Sequence, residues 1–253
     1  MARIFITGST DGLGLFNART LIGQGHDVVL HARTKERTTA VQDFDAAGIV
    51  IGDLSSDSET RSVAAQVNAI GRMDAVIHNA GVYLSNSRVA TPEDHSRTLA
   101  VNVLAPYLFT ALIDRPDRLV YVTSGMHLGV RSNLDDIDWT SRRWSASQAY
   151  SESKLYVAAL ASAIARRWPD VLSNSVDPGW VPTKMGGPGA SDDLELGHDT
   201  QSWLAVSQDP NATVTGQYWH HRRHQRPAPE VNDPKFHDEL LQALAGITGT
   251  GLP

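Results

Sequence analysis

Six short apolar runs recur along the chain with helix-length segments between them, and this alternation constrains the fold more than any single residue. The runs read RIFITG, DVVLHA, GIVIGD, MDAVIHNAG, RLVYVTSG and VLSNSVDPG, mostly rich in Val, Ile and Leu and ending in polar residues or glycine. Leu13–Gln24, Ser58–Ile70, Ser96–Ile113 and Ala146–Trp168 between them have the length and pattern of helices. Strands apolar on both faces and separated by helices predict an α/β fold, a doubly wound parallel sheet with helices on both faces. No repeat, low-complexity tract or linker divides the 253 residues, so a single domain over 1–253 is expected. An apolar content of 41% is ample for the core of such a domain.

Several function classes drop out on composition. Nothing resembles an 18-residue apolar span, and MARIFITG lacks the charged, apolar and small-residue regions of a signal peptide, so no membrane association and a cytoplasmic location are expected. The absence of cysteine excludes disulfides, thiolate nucleophiles and cysteine-ligated zinc or iron–sulfur sites. A net charge of −6 without a long basic run offers no footprint for nucleic acid.

The stretch TGSTDGLG, Thr7 to Gly14, falls where the first strand hands over to the first helix. In open parallel sheets the ligand sits outside the carboxyl ends of the strands, and glycines there let backbone N–H groups approach a pyrophosphate at a helix N-terminus. Taken alone this is equally a glycine-rich turn, and its spacing, Gly8, Gly12 and Gly14, is not G-x-G-x-x-G. No Gly-Lys dipeptide occurs, which removes a P-loop. At the end of the second run, VVLHAR carries Arg33 where a dinucleotide presents its adenosine ribose. A guanidinium suits a 2′-phosphate, which favours NADP(H) over NAD(H). Asp11 argues weakly the other way unless its carboxylate points elsewhere.

In AYSESKLYVAAL, Tyr150 and Lys154 stand four apart and share a helix face. A cation near a phenol stabilises the phenolate, which makes tyrosine a usable acid and base near neutral pH. Such a pair is common on helix surfaces, so its meaning comes from what surrounds it.

Those surroundings resemble the short-chain dehydrogenase/reductase family over essentially the whole chain. The T-G-x-x-x-G-x-G loop is matched by Thr7, Gly8, Gly12 and Gly14, and the adenine-side acid by Asp53, followed by Leu54. The N-N-A-G element reads HNAG, with His78 for the first Asn and Asn79, Ala80 and Gly81 intact. Asn102, Ser124, Tyr150 and Lys154 match the catalytic positions, and DPGWVPT supplies Pro178, Gly179, Val181 and Thr183 at the nicotinamide end. The resemblance implies a Rossmann fold of about seven strands and a cofactor site of Gly8, Thr10, Asp11, Gly12, Leu13, Gly14, Arg33, Asp53, Leu54, Asn79, Ala80, Gly81, Tyr150, Lys154, Pro178, Gly179, Val181 and Thr183.

It also implies a mechanism. Hydride would pass between the nicotinamide of NADP(H) and a carbonyl or alcohol, with Tyr150 exchanging the proton and Ser124 holding the oxygen. Lys154 would lower the Tyr150 pKa and bind the nicotinamide ribose, and Asn102 would anchor a water relaying protons from Lys154. The phrasing HNAGV, VNVLAPY, DDIDW and YSESKL is similar to the retinol-dehydrogenase-like branch, including bacterial sequences similar to daunorubicin ketoreductases, which implies a bulky apolar substrate. Residues 184–200 are the expected substrate loop, its glycine-rich part Lys184–Asp193 closing over the substrate.

The 25 residues between Ser124 and Tyr150 exceed the family's usual spacing and would flank the substrate mouth or obstruct oligomerisation; a homodimer is possible. Trp139, Trp144, Trp180 and Met185 are placed near that mouth, lining an apolar pocket or simply packing. His220, His221 and His224 in WHHRRHQR are expected on a solvated surface, with no metal site. The rival from another class is a non-catalytic NADP(H)-sensing or scaffold protein on the same fold, which would typically lack Tyr150 or Lys154.

Overall fold

Alternate side chains of the first strand, β1 (Arg3–Ile6), divide the core into two layers. Ile4 and Ile6 enter one layer and Phe5 the other, all three fully buried. The computed structural model describes residues 1–83 and 86–253. In it β1, β2 (Asp27–Ala32), β3 (Gly48–Ile51), β4 (Ala75–His78), β5 (Arg118–Val122), β6 (Leu172–Asp177), β7 (Tyr218–His220) and β8 (Arg223–Gln225) form one sheet of order 3-2-1-4-5-6-7-8. Every neighbouring pair is parallel except β7 and β8. The eighth strand, one more than expected, is three exposed polar residues, Arg-His-Gln, too short and too hydrophilic to announce itself.

The helices in chain order are α1 (Gly12–Gly23), α2 (Asp57–Ile70), α3 (Arg97–Leu99), α4 (Ala105–Leu112), α5 (Ala146–Arg167), α6 (Leu194–Val206) and α7 (Pro234–Thr248). α1 and α6 cover the Ile4 and Ile6 face through Ala18, Leu21 and Leu204. α2, α4, α5 and α7 cover the Phe5 face through Val67, Phe109, Leu160 and Leu240. The sheet is thus apolar on both sides, as its Val/Ile-rich strands require.

Two local features bear on the site. The segment expected as one helix over Ser96–Ile113 contains a π-helical turn, Ala100–Leu104, between α3 and α4, and Asn102 sits in it. In α5, residues 149–161 are all buried, because short helical turns at 125–129 and 229–232 and the helix α7 pack on the surface that the sheet leaves free.

Candidate active site

β2 lies on one side of β1 and β4 on the other, so the chain winds outward in both directions from this pair. The crevice beyond their carboxyl ends is the switch point at which open parallel sheets bind ligands. A cavity of about 920 Å³ opens there. Every site residue expected from the sequence lines it except Gly14 and Asn102, which stand immediately behind.

The glycine loop is stitched to β4. Thr7 Oγ1 accepts the backbone N–H groups of Asn79 and Ala80 at 3.0 and 2.9 Å, and Asn79 Nδ2 donates to Thr7 O at 2.9 Å. Gly8 has φ +65° and packs against Ala80, while a Cβ on Gly14 would stand 2.5 Å from both Asn79 Nδ2 and Gly8 O. Gly14 therefore serves close packing of α1 on the strands. His31, at the end of β2, completes the frame: its Nδ1 accepts Gly8 N–H at 2.9 Å and its Nε2 donates to Gly52 O at 2.9 Å. That pairing fixes the neutral tautomer, and burial pushes its pKa down.

At the β2 end of the cavity, Arg33 stands in the lining with Arg37, which the sequence reading missed. Arg37 follows in the helical turn Lys35–Val41 and donates to Thr10 Oγ1 at 3.3 Å and Asp11 Oδ2 at 3.2 Å. Asp11 caps α1 through Gly12 N–H and also receives Lys184 Nζ at 2.6 Å. Burial acts to raise the Asp11 pKa, but the hydrogen bonds from Lys184, Gly12 and Arg37 prevail and hold it below the usual value. Its carboxylate is thus turned to two cations. Asp53 lines the same end and accepts the backbone N–H and hydroxyl of Ser55 at 2.9 and 2.8 Å.

At the opposite end, Ser124 follows β5, three strand spacings or about 14 Å from β2. Tyr150 shares the cavity wall with Ser124, near enough for the serine side chain to act on the phenol's titration, and its ring packs on Tyr83 with centroids 4.5 Å apart. His127 Nδ1 donates to Ser124 O at 2.7 Å while its Nε2 accepts Ala228 N–H at 3.3 Å, which fixes the serine backbone. Lys154 Nζ donates to Val122 O at 2.8 Å and stands 5.5 Å from the Tyr150 ring centre. Asn102 Oδ1 accepts Val82 N–H at 2.8 Å, and its Nδ2 donates to Val82 O and Ser153 Oγ at 3.1 and 2.9 Å. The space beside Gly81 is shared by Lys154 Nζ and Asn102 Oδ1.

The electrostatics depart from expectation. Burial pushes the Tyr150 phenol well above its ordinary pKa, against the opposing influence of the Ser124 side chain, and burial brings Lys154 down to about 8. Lys154 does not lower the phenol here because its ammonium is directed at a backbone carbonyl rather than at the hydroxyl.

The loop after β6 crosses the mouth. Pro178, Gly179, Val181, Thr183 and Lys184 line the cavity, as do Trp180 and Met185, both largely exposed. Of the segment 184–200, residues from Leu194 onward are α6, started by Asp193, whose side chain caps Glu195 and Leu196. Of the two alternatives for Trp139 and Trp144, lining a pocket or simply packing, the structure shows the second: they pack on each other at 5.7 Å and are not among the residues lining the cavity. The insert carrying them folds onto α5, where Arg142 joins Asp136 to Glu152. The histidine-rich tail is likewise not simply a solvated surface: His220 ends β7 and lines the cavity, while His224 packs on Trp219.

The crevice fits an elongated dinucleotide. A helix N-terminus with close-approach glycines lies between a pair of arginines and a hydroxyl-bearing end. A family model described as short chain dehydrogenase matches residues 2–193. The short-chain dehydrogenase chyC of Penicillium rubens is 41% identical over the whole of both chains. DnrU of Streptomyces sp., named as a daunorubicin C-13 ketoreductase, is 33% identical over 97% of this chain and 92% of its own. Among solved structures, an uncharacterised protein from Mycobacterium paratuberculosis superposes with a TM-score of 0.86 at 25% identity, covering 100% of this chain and 95% of the other. A blue fluorescent protein from a metagenomic library, solved with NADPH, shares the fold at a TM-score of 0.70, 20% identity and coverage of 87% and 95%. The chain belongs to the short-chain dehydrogenase family, a family of nicotinamide-dependent oxidoreductases.

Proposed function

We propose that the protein is an NADP(H)-dependent oxidoreductase acting on the carbonyl or alcohol of a bulky, apolar small molecule, with Tyr150 as proton donor and acceptor. The observation that carries this reading is that Tyr150 and Ser124 stand together in the wall of a cavity whose far end holds Arg33 and Arg37. A sensor or scaffold has no need of that pair.

The bound nicotinamide supplies hydride for reduction and accepts it in oxidation. The residues around it hold the dinucleotide and manage the proton. The glycine loop and the N-terminus of α1 receive the pyrophosphate, Asp53 and Leu54 flank the adenine, and Arg33 with Arg37 grips a 2′-phosphate. The repulsion of Asp11 for that phosphate is offset by its pairing with Arg37 and Lys184.

The raised pKa of Tyr150 keeps it protonated at neutral pH, the form that gives its proton to a carbonyl oxygen. Ser124 polarises that oxygen as charge develops on it. Lys154, close to neutral range in its titration, keeps positive charge beside the phenol and reaches the nicotinamide ribose. Asn102 is held by Val82 and Ser153, and its Oδ1, which accepts one hydrogen bond from Val82, has a second acceptor position for a water relaying protons from Lys154.

An apolar substrate meets Trp180, Met185 and Met126, which line the cavity with 55, 41 and 40% of their surface exposed. A homodimer through the middle of α5 has little free surface to use, since the chain's own segments bury residues 149–161 of that helix, so a dimer would form elsewhere. NADPH and NADH oxidation against aromatic and polycyclic ketones, aldehydes and quinones tests the reading. Turnover with none of them, despite tight NADPH binding, would favour the sensor.

A further inference from the structure

One polar wall of the cavity takes no part in the chemistry above. Asp177 ends β6 and lines the cavity with 14% of its side chain exposed. Its Oδ1 accepts Gly179 N–H at 3.0 Å, and its Oδ2 accepts the Tyr218 hydroxyl at 3.3 Å. His220 Nδ1 lies 3.6 Å from Oδ2 and 3.2 Å from the Asp177 carbonyl oxygen. Oδ2 also stands 2.9 Å from where a side chain on Gly125 would begin, so glycine next to Ser124 admits the carboxylate to the catalytic end. A carboxylate has about four acceptor positions. Among the described residues its direct hydrogen-bond donors are Gly179 and Tyr218, which leaves acceptor capacity toward the cavity.

The hairpin that carries His220 is strained. His221 and Arg222 have φ +47° and +58°, a turn ordinarily made by Asn-Gly. Non-glycine residues persist there only where the surroundings fix them, and such strain gathers at functional sites. Arg222 is held by Asp199 and Thr200, and the His221 ring stacks on His220 at 3.8 Å. The result is a His220 ring fixed beside Asp177. β7 and β8 lie beyond residue 193, where the match to the family model ends.

We propose that Asp177, oriented by Tyr218 and His220, selects an apolar carbonyl substrate bearing a hydrogen-bond donor, a hydroxyl or an amine, beside the reacting carbonyl. This rests on the oxidoreductase reading and narrows its substrate class. A ketone lacking the donor would cover the carboxylate without replacing its water, and sites built to hydrogen-bond a substrate group reject analogues without it. The same negative charge favours the protonated forms of Tyr150 and Lys154, consistent with proton donation to the carbonyl.

The test measures dissociation constants by calorimetry in the presence of NADP⁺ for matched aryl ketones carrying a hydroxyl, an amino or a methyl group next to the carbonyl. Wild type should bind a donor-bearing ketone about tenfold or more tighter than the methyl ketone. Asp177→Ala should abolish that preference and Asp177→Asn should reduce it, with bound-NADPH fluorescence reporting an intact fold. Tyr218→Phe, which leaves the carboxylate in place but loosens it, should reduce the preference by a smaller factor. The hydroxyl and amino arms show which donor is read. Equal binding of the three ketones by wild type, or a preference undiminished in Asp177→Ala, would overturn the proposal. Because the readout is binding, failure of all three ketones to consume NADPH would count against the oxidoreductase reading and leave this comparison decided on its own result.

Discussion

Lys184 Nζ reaches Asp11 Oδ2 at 2.6 Å, joining the loop over the cavity mouth to the glycine loop beneath it across 173 residues of sequence. Lys184 is otherwise exposed, so the tie is a latch that solvent competes for rather than a major contribution to stability. NADPH should protect Lys184–Asp193 from proteolysis, and Lys184→Ala should weaken that protection and speed NADPH release by about two- to fivefold. Equal cleavage with and without NADPH would remove the lid from the account.

Cofactor choice should follow the two arginines. Arg33→Ala and Arg37→Ala should each raise the NADPH dissociation constant by about tenfold or more while leaving NADH within about threefold, as expected for charge-assisted bonds to a 2′-phosphate. Titrations of both cofactors check this. Equal losses for the two would place the arginines on a part common to both.

His78 should make the fold acid-sensitive. Its ring lies on Tyr121 with centroids 4.4 Å apart, neither nitrogen has a hydrogen-bond partner among the described residues, and burial pushes its pKa down to about 3. The unfolded imidazole takes a proton near 6.5, so between about 6.5 and 3 the unfolded chain holds one proton more. Stability therefore falls as pH drops through that window, by up to about 1.4 kcal/mol per pH unit, and is unaffected by this group above it. His78→Phe should flatten the fall, leaving the contributions of His26, His31, His127 and His237, whose pKa values burial also lowers. Urea midpoints from pH 7.5 to 5 measure it, and parallel curves for variant and wild type would count against it.

The insert before Tyr150 should depend on Arg142. This side chain bonds Asp136 at 3.1 Å and Glu152 at 2.8 Å, both carboxylates almost wholly buried, and stacks 3.7 Å over Trp139. Arg142→Ala would leave two buried charges uncompensated and should cost about 3–5 kcal/mol in denaturant unfolding. A loss below about 1 kcal/mol would mean that the insert is not anchored there.

Much of this was legible in the sequence because strands buried on both faces are written as continuous apolar runs. β1 to β6 lie where those runs predicted them, and the loop from Thr7 to Gly14 follows β1 as expected. The elements that escaped are those whose signal is neither apolar nor local. β8 is polar and three residues long. His31, Arg37 and Lys184 act through partners 23, 26 and 173 positions away, a pairing no periodicity displays. The π-helical turn at Asn102 leaves no mark in a helix pattern, and the choice between pocket lining and packing for Trp139 and Trp144 stayed open because the tie of Arg142 to Glu152 appears only in three dimensions. For Arg37, the spacing of four from Arg33 was the one available clue.

Tyr150→Phe tests the central claim most directly. The variant should bind NADPH with an affinity within about threefold of wild type, since the ring and its packing on Tyr83 are kept, yet oxidise it with a carbonyl substrate at least about a hundredfold more slowly. Retention of wild-type turnover by Tyr150→Phe on a substrate that wild type reduces would contradict the assignment of Tyr150 as the proton donor.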